Sequence, residues 1–188
     1  MNRKPDPQKY YNLERYLLEE VQPRFQKNGS IGAFDFFSIV IWKANRAKSR
    51  VADKLRDVSG EDNLEQICKK LSTEIWKAKE EKDKMKILIS DWHFRLPMAS
   101  AILTILYPEL FTVYDYRAAE QTGNGSKLVN KTSFDAIWDG YVEFRCKVNE
   151  IGKGSTMREK DRYLFGKSRM EDLADDIEHG FSDENDKA

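Results

Sequence analysis

The chain has 188 residues, of which 40% are hydrophobic, which is enough for one domain with a buried core. It holds no run of about 18 apolar residues, and its first residues lack the apolar block of a signal peptide, so we expect a soluble, cytoplasmic protein that does not enter a membrane. The formal net charge is zero, yet residues 171–188 hold eight acidic residues and one basic residue, which leaves a net charge of +7 on residues 1–170. A basic body is compatible with nucleic acid, although surplus lysine is more often a solvated surface.

Apolar residues recur at helical spacing through most of the chain, and no pair of strands competes with that pattern. Four stripes carry it: Leu13, Tyr16, Leu17 and Val21; Phe34, Phe37 and Ile41; Leu64, Ile67, Leu71 and Ile75; and Phe134, Trp138, Tyr141 and Val148. Breaks are predicted at Pro23 with Asn28-Gly29, at Ser59-Gly60, at Tyr107-Pro108, at residues 123–125 and at residues 152–154. The sequence therefore predicts an all-α fold of roughly eight to ten helices of ordinary length.

Two local patterns refine this prediction. Residues 98–106, MASAILTIL, are apolar or small on every side of a helix, so we expect them to form the centre of the core. Thr132 and Asp135 have the spacing of a capping box, which predicts a helix start just before Phe134.

The cysteines and the two ends of the chain allow predictions about cofactors and about the extent of the domain. Cys68 and Cys146 lie in helical patterns and lack the spacing of metal ligands, so we expect two buried reduced thiols, no iron–sulfur cluster and no cofactor. Residues 1–182 are expected to form a single helical domain whose residues 1–8 are a candidate for disorder, followed by a disordered acidic tail at residues 183–188.

One stretch points to a family. Residues 93–118 read HFRLPMASAILTILYPELFTVYDYRA, with Pro97, a small-residue run at 99–103, Tyr107-Pro108 and the triplet Asp115-Tyr116-Arg117. This stretch resembles the central segment of the helix-hairpin-helix DNA glycosylase superfamily, especially its small uncharacterised prokaryotic members. Two flanking pieces, IWKANR at residues 41–46 and REKDRYLFGK at residues 158–167, are similar to the same group. The resemblance covers about residues 31–168 and implies a two-lobed helical bundle, double-stranded DNA as partner and removal of damaged or mismatched bases.

The resemblance assigns the catalytic carboxylate to Asp115. Glycosylases of this type cleave the bond between base and deoxyribose through an oxocarbenium-like state, which needs a fixed carboxylate beside the sugar. At a helix start, the ionised form of Asp115 would be favoured by backbone N–H groups and by the positive end of the helix. The alternative is that Asp115 is only an N-cap.

The hairpin departs from the family pattern. Its Gly-apolar-Gly sequence lets the backbone approach a DNA phosphate, whereas this chain has His93-Phe94-Arg95 there. All three hairpin residues, His93, Phe94 and Arg95, are candidates for nucleic-acid contact, and His93 and Arg95 could still reach a phosphate with their side chains. Bifunctional members carry a Schiff-base lysine where this chain has Pro97, so lyase activity through that lysine is excluded.

Further candidates for nucleic-acid contact are Trp42, Lys43, Arg46 and Arg117. Trp42 could stack on a base while Lys43 and Arg46 hold phosphates, although a core tryptophan beside solvated cations is the more frequent arrangement. Arg117 could contact DNA, but residues two apart on a helix face different directions, so a side-chain pair with Asp115 is not expected.

Three hypotheses remain open at this point. The first is a monofunctional DNA N-glycosylase, and the second is a non-catalytic nucleic-acid-binding or protein-interaction module that keeps the fold. The third is a purely structural helical protein. An Asp115 that lines an open, basic cleft favours the first, whereas an Asp115 sealed by packing favours the others.

Overall fold

The computed structural model describes residues 5–123, 128 and 131–181, and these residues form helices and loops with no strand among them. The α-helices are α1 (Pro7–Tyr11), α2 (Leu13–Tyr16), α3 (Gln22–Asn28), α4 (Ala33–Ala44), α5 (Lys48–Ser59), α6 (Leu64–Lys77), α7 (Glu81–Lys86), α8 (Leu96–Leu106), α9 (Tyr116–Gln121), α10 (Phe134–Ile151) and α11 (Met157–His179). Leu17–Val21 and Ile87–Asp91 are single π-helical segments, and Asn45–Ala47 is a 3-10 turn. The all-α prediction is confirmed.

Helix α8 lies at the centre of the core, as its sequence predicts. Nine of its eleven residues are buried, and it packs against α3, α4 and α7. Pro97 lies in the first turn, where a helix needs no N–H donor. The helix ends at Leu106, two residues before Pro108, since the residue that precedes a proline is disfavoured in helical geometry.

The breaks predicted at Asn28-Gly29, Ser59-Gly60 and residues 152–154 are confirmed, whereas residues 124 and 125 of the break predicted at 123–125 lie outside the described residues. Gly29 and Gly60 follow α3 and α5 with φ of 67° and 68°, in the left-handed region that glycine adopts without a steric penalty. The break predicted at Pro23 is wrong, because the chain passes from the π-helical segment Leu17–Val21 straight into α3. Pro23 is the second residue of α3 and does not end the helical run.

The predicted capping box at Thr132 and Asp135 is also wrong. Helix α10 does begin at Phe134, but its N-cap is Ser133 and no side chain caps it. The capping box is at Thr156 and Glu159, at the start of α11, and it also lowers the pKa of the Glu159 carboxyl through bonds from the Ser155 hydroxyl and nearby backbone N–H groups.

Only one of the two thiols is buried. Cys68 lies in the core, and burial raises its pKa to about 12, whereas Cys146 is exposed on α10, which corrects the expectation of two buried thiols. Helix α1 begins at Pro7, inside the stretch expected to be disordered. Residues 1–4 and the acidic tail at residues 183–188 lie outside the described residues.

Candidate functional site

The site begins with an extended stretch, residues 111–115, that links α8 to α9. Its backbone lies in the interior, so its polar groups need partners there. The Tyr141 hydroxyl accepts the Thr112 N–H at 3.0 Å and donates to the Thr112 carbonyl at 2.8 Å. The Ser100 hydroxyl on α8 accepts the Tyr114 N–H at 2.9 Å. Side chains of α8 and α10 thus fix the path of the chain up to Asp115.

Asp115 has two separate contacts, one for each carboxylate oxygen. Its Oδ1 accepts the backbone N–H of Arg117 at 3.1 Å, which makes Asp115 the N-cap of α9. Its Oδ2 lies 2.5 Å from Nζ of Lys43, which comes from the last turn of α4. About 28% of the Asp115 side chain remains exposed, so it is held in place but reachable from solvent.

Asp115 lines an open pocket of about 330 Å³. The lining residues come from five separate parts of the chain: Glu14, Trp42, Lys43, Val113, Asp115, Ala118, Arg158, Asp161, Arg162 and Phe165. They supply three carboxylates, three cations and two aromatic rings. Ionic and aromatic side chains therefore share the lining of this pocket.

A network centred on Arg158 forms one wall of this pocket. Its guanidinium donates to Glu14 at 2.8 Å, forms a close ion pair with Asp161 and lies 5.0 Å from the centroid of the Trp42 ring. These contacts tie α2, α4 and α11 together around a side chain that is only 16% exposed.

Asp161 joins this network to the extended stretch that carries Asp115. Its Oδ2 accepts the Thr112 hydroxyl at 2.8 Å and the Val113 N–H at 3.2 Å. Burial raises the pKa of Asp161, and the opposing effects of Arg158 and of these hydrogen bonds do not outweigh it. Asp161 therefore anchors the residues just before Asp115 to the first turns of α11.

Helix α4 brings Trp42 and Lys43 to the pocket. Its first turn is held by Glu65 of α6, which accepts the Ala33 N–H at 2.7 Å. At its other end the ring of Trp42 is half-buried under Arg158, and Lys43 reaches Asp115. The structure therefore brings together three of the candidate residues, Trp42, Lys43 and Asp115.

The hairpin residues lie elsewhere. His93 is exposed with φ of 55°, and its carbonyl accepts Nζ of Lys54 at 2.8 Å in a second, open groove on α5. Arg95 is exposed at the N-cap of α8. Phe94, expected to contact nucleic acid, is instead buried in the core against Phe36, because the apolar ring gains more from packing than from solvent contact.

Arg46 and Arg117 also lie outside the pocket. Arg46 is exposed in the 3-10 turn that follows α4. The guanidinium of Arg117 forms a close ion pair with Asp172 of α11, so only its backbone N–H contacts Asp115. This agrees with the argument that residues two apart on a helix do not face each other.

Seven of the ten pocket residues were not predicted as site residues, and four of these seven are charged: Glu14, Arg158, Asp161 and Arg162. The last three, with Phe165, recur at intervals of three and four, which places them on one face of α11 and is a signal that the sequence contains. Glu14 gave no such signal, because its partner Arg158 lies 144 residues further along the chain.

Among the residues that the structure describes, no group of three or more histidine, cysteine or acidic side chains is placed to hold a metal ion. None of the described helices is both long enough and apolar enough to cross a bilayer.

Comparisons with protein-family models, with curated proteins and with solved structures return no match to this chain.

Proposed function

We propose that this protein is a DNA glycosylase-like enzyme of helix-hairpin-helix type, a monofunctional N-glycosylase that uses Asp115 to release a damaged or mismatched base. The observation that carries the proposal is the placement of Asp115: it lines an open pocket bordered by Lys43, Arg158 and Arg162. A carboxylate that serves only as an N-cap needs neither a pocket nor a border of cations.

The pocket has the parts that base release requires. A base turned out of a duplex needs an aromatic face to stack on, and Trp42 and Phe165 line the pocket beside Asp115. The developing charge on the sugar needs a fixed carboxylate, and Asp115 is held by its N-cap bond to Arg117. Arg162, which is 62% exposed, and Lys43 suit the phosphates on either side of the target nucleotide, whereas Arg158 is held by Glu14 and Asp161.

In this mechanism Lys43 has a specific part. Its ammonium group lies 2.5 Å from Oδ2 of Asp115. In this position it neutralises the negative charge of the carboxylate, which would otherwise stabilise the sugar cation. A neighbouring phosphate offers Lys43 an alternative partner. We expect duplex binding to draw Lys43 toward that phosphate and so free Oδ2 for the sugar, which would couple catalysis to correct docking.

The hairpin geometry also supports the proposal. His93 takes the left-handed backbone conformation that glycine adopts most easily, at the position where the family pattern has its first glycine. Phe94 is buried, in keeping with the apolar middle residue of that pattern. Lys54 and Arg50 flank the turn and, with Arg95, offer side chains for phosphate in place of a close backbone approach.

The test is base release from a panel of duplex oligonucleotides that carry single damaged or mismatched bases. Asp115→Asn removes the charge at nearly constant shape, so we expect base release to fall by about 10²–10³-fold or more while duplex affinity is kept or increased. The matched control is Asp172→Asn, an acidic residue of α11 outside the pocket. No release from any duplex by the wild type, or equal release by wild type and Asp115→Asn, would refute the proposal.

One observation favours a second candidate, a non-catalytic nucleic-acid-binding module. Both oxygens of Asp115 already have partners within the protein, as expected of a carboxylate with a structural role. Salt-dependent duplex binding without base release, unchanged in Asp115→Asn, would establish this alternative.

A further inference from the structure

The second half of α11 projects beyond the helices that bury its first half. The buried residues of α11 are Asp161, Leu164 and Ser168, and none of them lies beyond the middle of the helix. At the base of the second half, Gln121 donates to Glu171 at 2.8 Å, and Arg117 pairs with Asp172. Beyond those two contacts the helix is exposed on nearly every side.

An apolar row runs along this projecting half. Met170, Leu173 and Ile177 are 73%, 53% and 62% exposed, and Phe181, just after the helix, is 63% exposed. Intervals of three and four residues place the first three on one side of the helix. Leu173 lies about two and a half turns after Leu164, so the row is on the side opposite the buried face.

This row differs from the usual scatter of exposed apolar residues. Single exposed leucines are ordinary, whereas several large apolar side chains in contiguous positions mark a binding surface. An open groove lies beside the row, and its lining consists of Met170, Leu173, Arg117, Arg169, Asp172 and Asp176. A ridge of apolar side chains with a groove along it suits the ridges-into-grooves packing of another helix.

The charges beside the row select the partner. From residue 170 to residue 181 the sequence holds five carboxylates and no lysine or arginine. Helical spacing places two of them, Asp176 and Glu178, on the two flanks of the row. The two arginines of the groove have partners within the protein, since Arg117 pairs with Asp172 and Arg169 lies over the Phe165 ring. A second copy of this chain would bring two such acidic sets together, and like charges that face each other across paired helices are unfavourable. A helix with lysine or arginine beside its apolar positions could pack its apolar side chains on the row and pair its cations with the carboxylates on either side.

We propose that the row Met170, Leu173, Ile177 and Phe181 is a docking surface for a basic amphipathic helix of a partner protein. The apolar side chains supply the contact area, and the carboxylates of α11 select basic partners and orient them. The pocket lined by Asp115 plays no part in this surface, so the proposal is independent of base release.

The test uses two designed peptides in fluorescence anisotropy with the full-length protein. Both carry leucine at heptad positions a and d, and they differ only in having lysine or glutamate at positions e and g. We expect the lysine peptide to bind, with affinity that falls as salt rises, and the glutamate peptide not to bind. Equal binding of the two peptides, or no binding of the lysine peptide, would overturn the proposal.

Surface variants locate the contact. Leu173→Gln combined with Ile177→Gln should weaken the lysine peptide roughly tenfold or more, because each is an exposed anchor that is not part of the core. Asp176→Lys combined with Glu178→Lys, which reverses the charge on both flanks of the row, should weaken the lysine peptide and strengthen the glutamate peptide. The matched control is Tyr11→Gln, which removes a 94% exposed ring from α1 and should change neither affinity.

Two results would contradict the location or the partner. Unchanged peptide binding by the Leu173→Gln, Ile177→Gln variant would place the contact elsewhere. Sedimentation that shows a dimer of the wild type, lost in that variant, would make a second copy the occupant and overturn the basic partner.

Discussion

Asp161 is the buried contact on which the geometry around Asp115 depends most. Its side chain is 3% exposed, pairs with Arg158 and accepts from the Thr112 hydroxyl and the Val113 N–H. Asp161→Ala removes all three contacts at once and leaves the donors in the interior. Thr112→Val removes only the hydroxyl and keeps the shape of the residue.

The expected magnitude follows from the partners left behind. Removing one member of a buried ion pair costs about 3–5 kcal/mol, and Arg158 would keep only Glu14 as a carboxylate partner at close range. Losing one hydrogen bond to a charged acceptor costs about 1.5–3 kcal/mol, so that is the loss expected for Thr112→Val. Because both variants remove the bond between Thr112 and Asp161, the double variant should lose less than the sum of the two.

Equilibrium unfolding in urea, followed by circular dichroism, measures all three losses. The matched control is Asp172→Ala, which removes a half-exposed acidic residue of the same helix and should change the free energy of unfolding by less than about 1 kcal/mol. A loss below about 1 kcal/mol for Asp161→Ala would refute the reasoning. Strict additivity of the two substitutions would refute the direct bond.

Three further predictions test other parts of the molecule. Since burial raises the pKa of Asp161, its contribution to stability is fully present below the unfolded pKa of about 3.9 and is lost as pH rises through the folded pKa. The free energy of unfolding of the wild type, minus that of Asp161→Asn, should therefore grow as the pH falls from neutral toward 4, and a shrinking difference would contradict this. Gly29→Ala should destabilise more than Gly60→Ala in thermal unfolding: both have positive φ, which costs about 1–2 kcal/mol, but only at Gly29 would a Cβ meet the Trp76 ring, at 2.9 Å. Arg95→Glu should weaken duplex binding and lower the slope of log affinity against log salt by about 1, and an unaltered slope would place the DNA surface away from the hairpin.

The sequence predicted the core better than the site, for a physical reason. Helical spacing of apolar residues is local, so α8 could be placed at the centre from residues 98–106 alone. The pocket depends on pairs such as Glu14 with Arg158, which are distant in sequence and leave no periodic trace. Phe94 was a candidate for nucleic-acid contact because of its place in the hairpin, yet its ring packs on Phe36 in the core.

Local signals also failed where two residues competed for one role. Thr132 and Ser133 are both acceptable N-caps, and the chain uses Ser133 for α10. Thr156 has the same capping chemistry with a glutamate three residues later, and there both bonds of the capping box form. The difference is the register: Glu159 is the third helical residue after its N-cap Thr156, whereas Asp135 is only the second after Ser133 and pairs with Lys82 instead.

The two oxygens of Asp115 allow its structural and chemical roles to be separated. Oδ1 caps α9 through the Arg117 N–H, and an asparagine side-chain oxygen can make the same bond. Oδ2 faces Lys43, and an amide nitrogen in its place would set a donor against a donor. Asp115→Asn should therefore keep α9 capped while it releases Lys43 into the pocket. An intact fold with tighter duplex binding is then the expected result, because a lysine freed from its carboxylate gains a phosphate as partner.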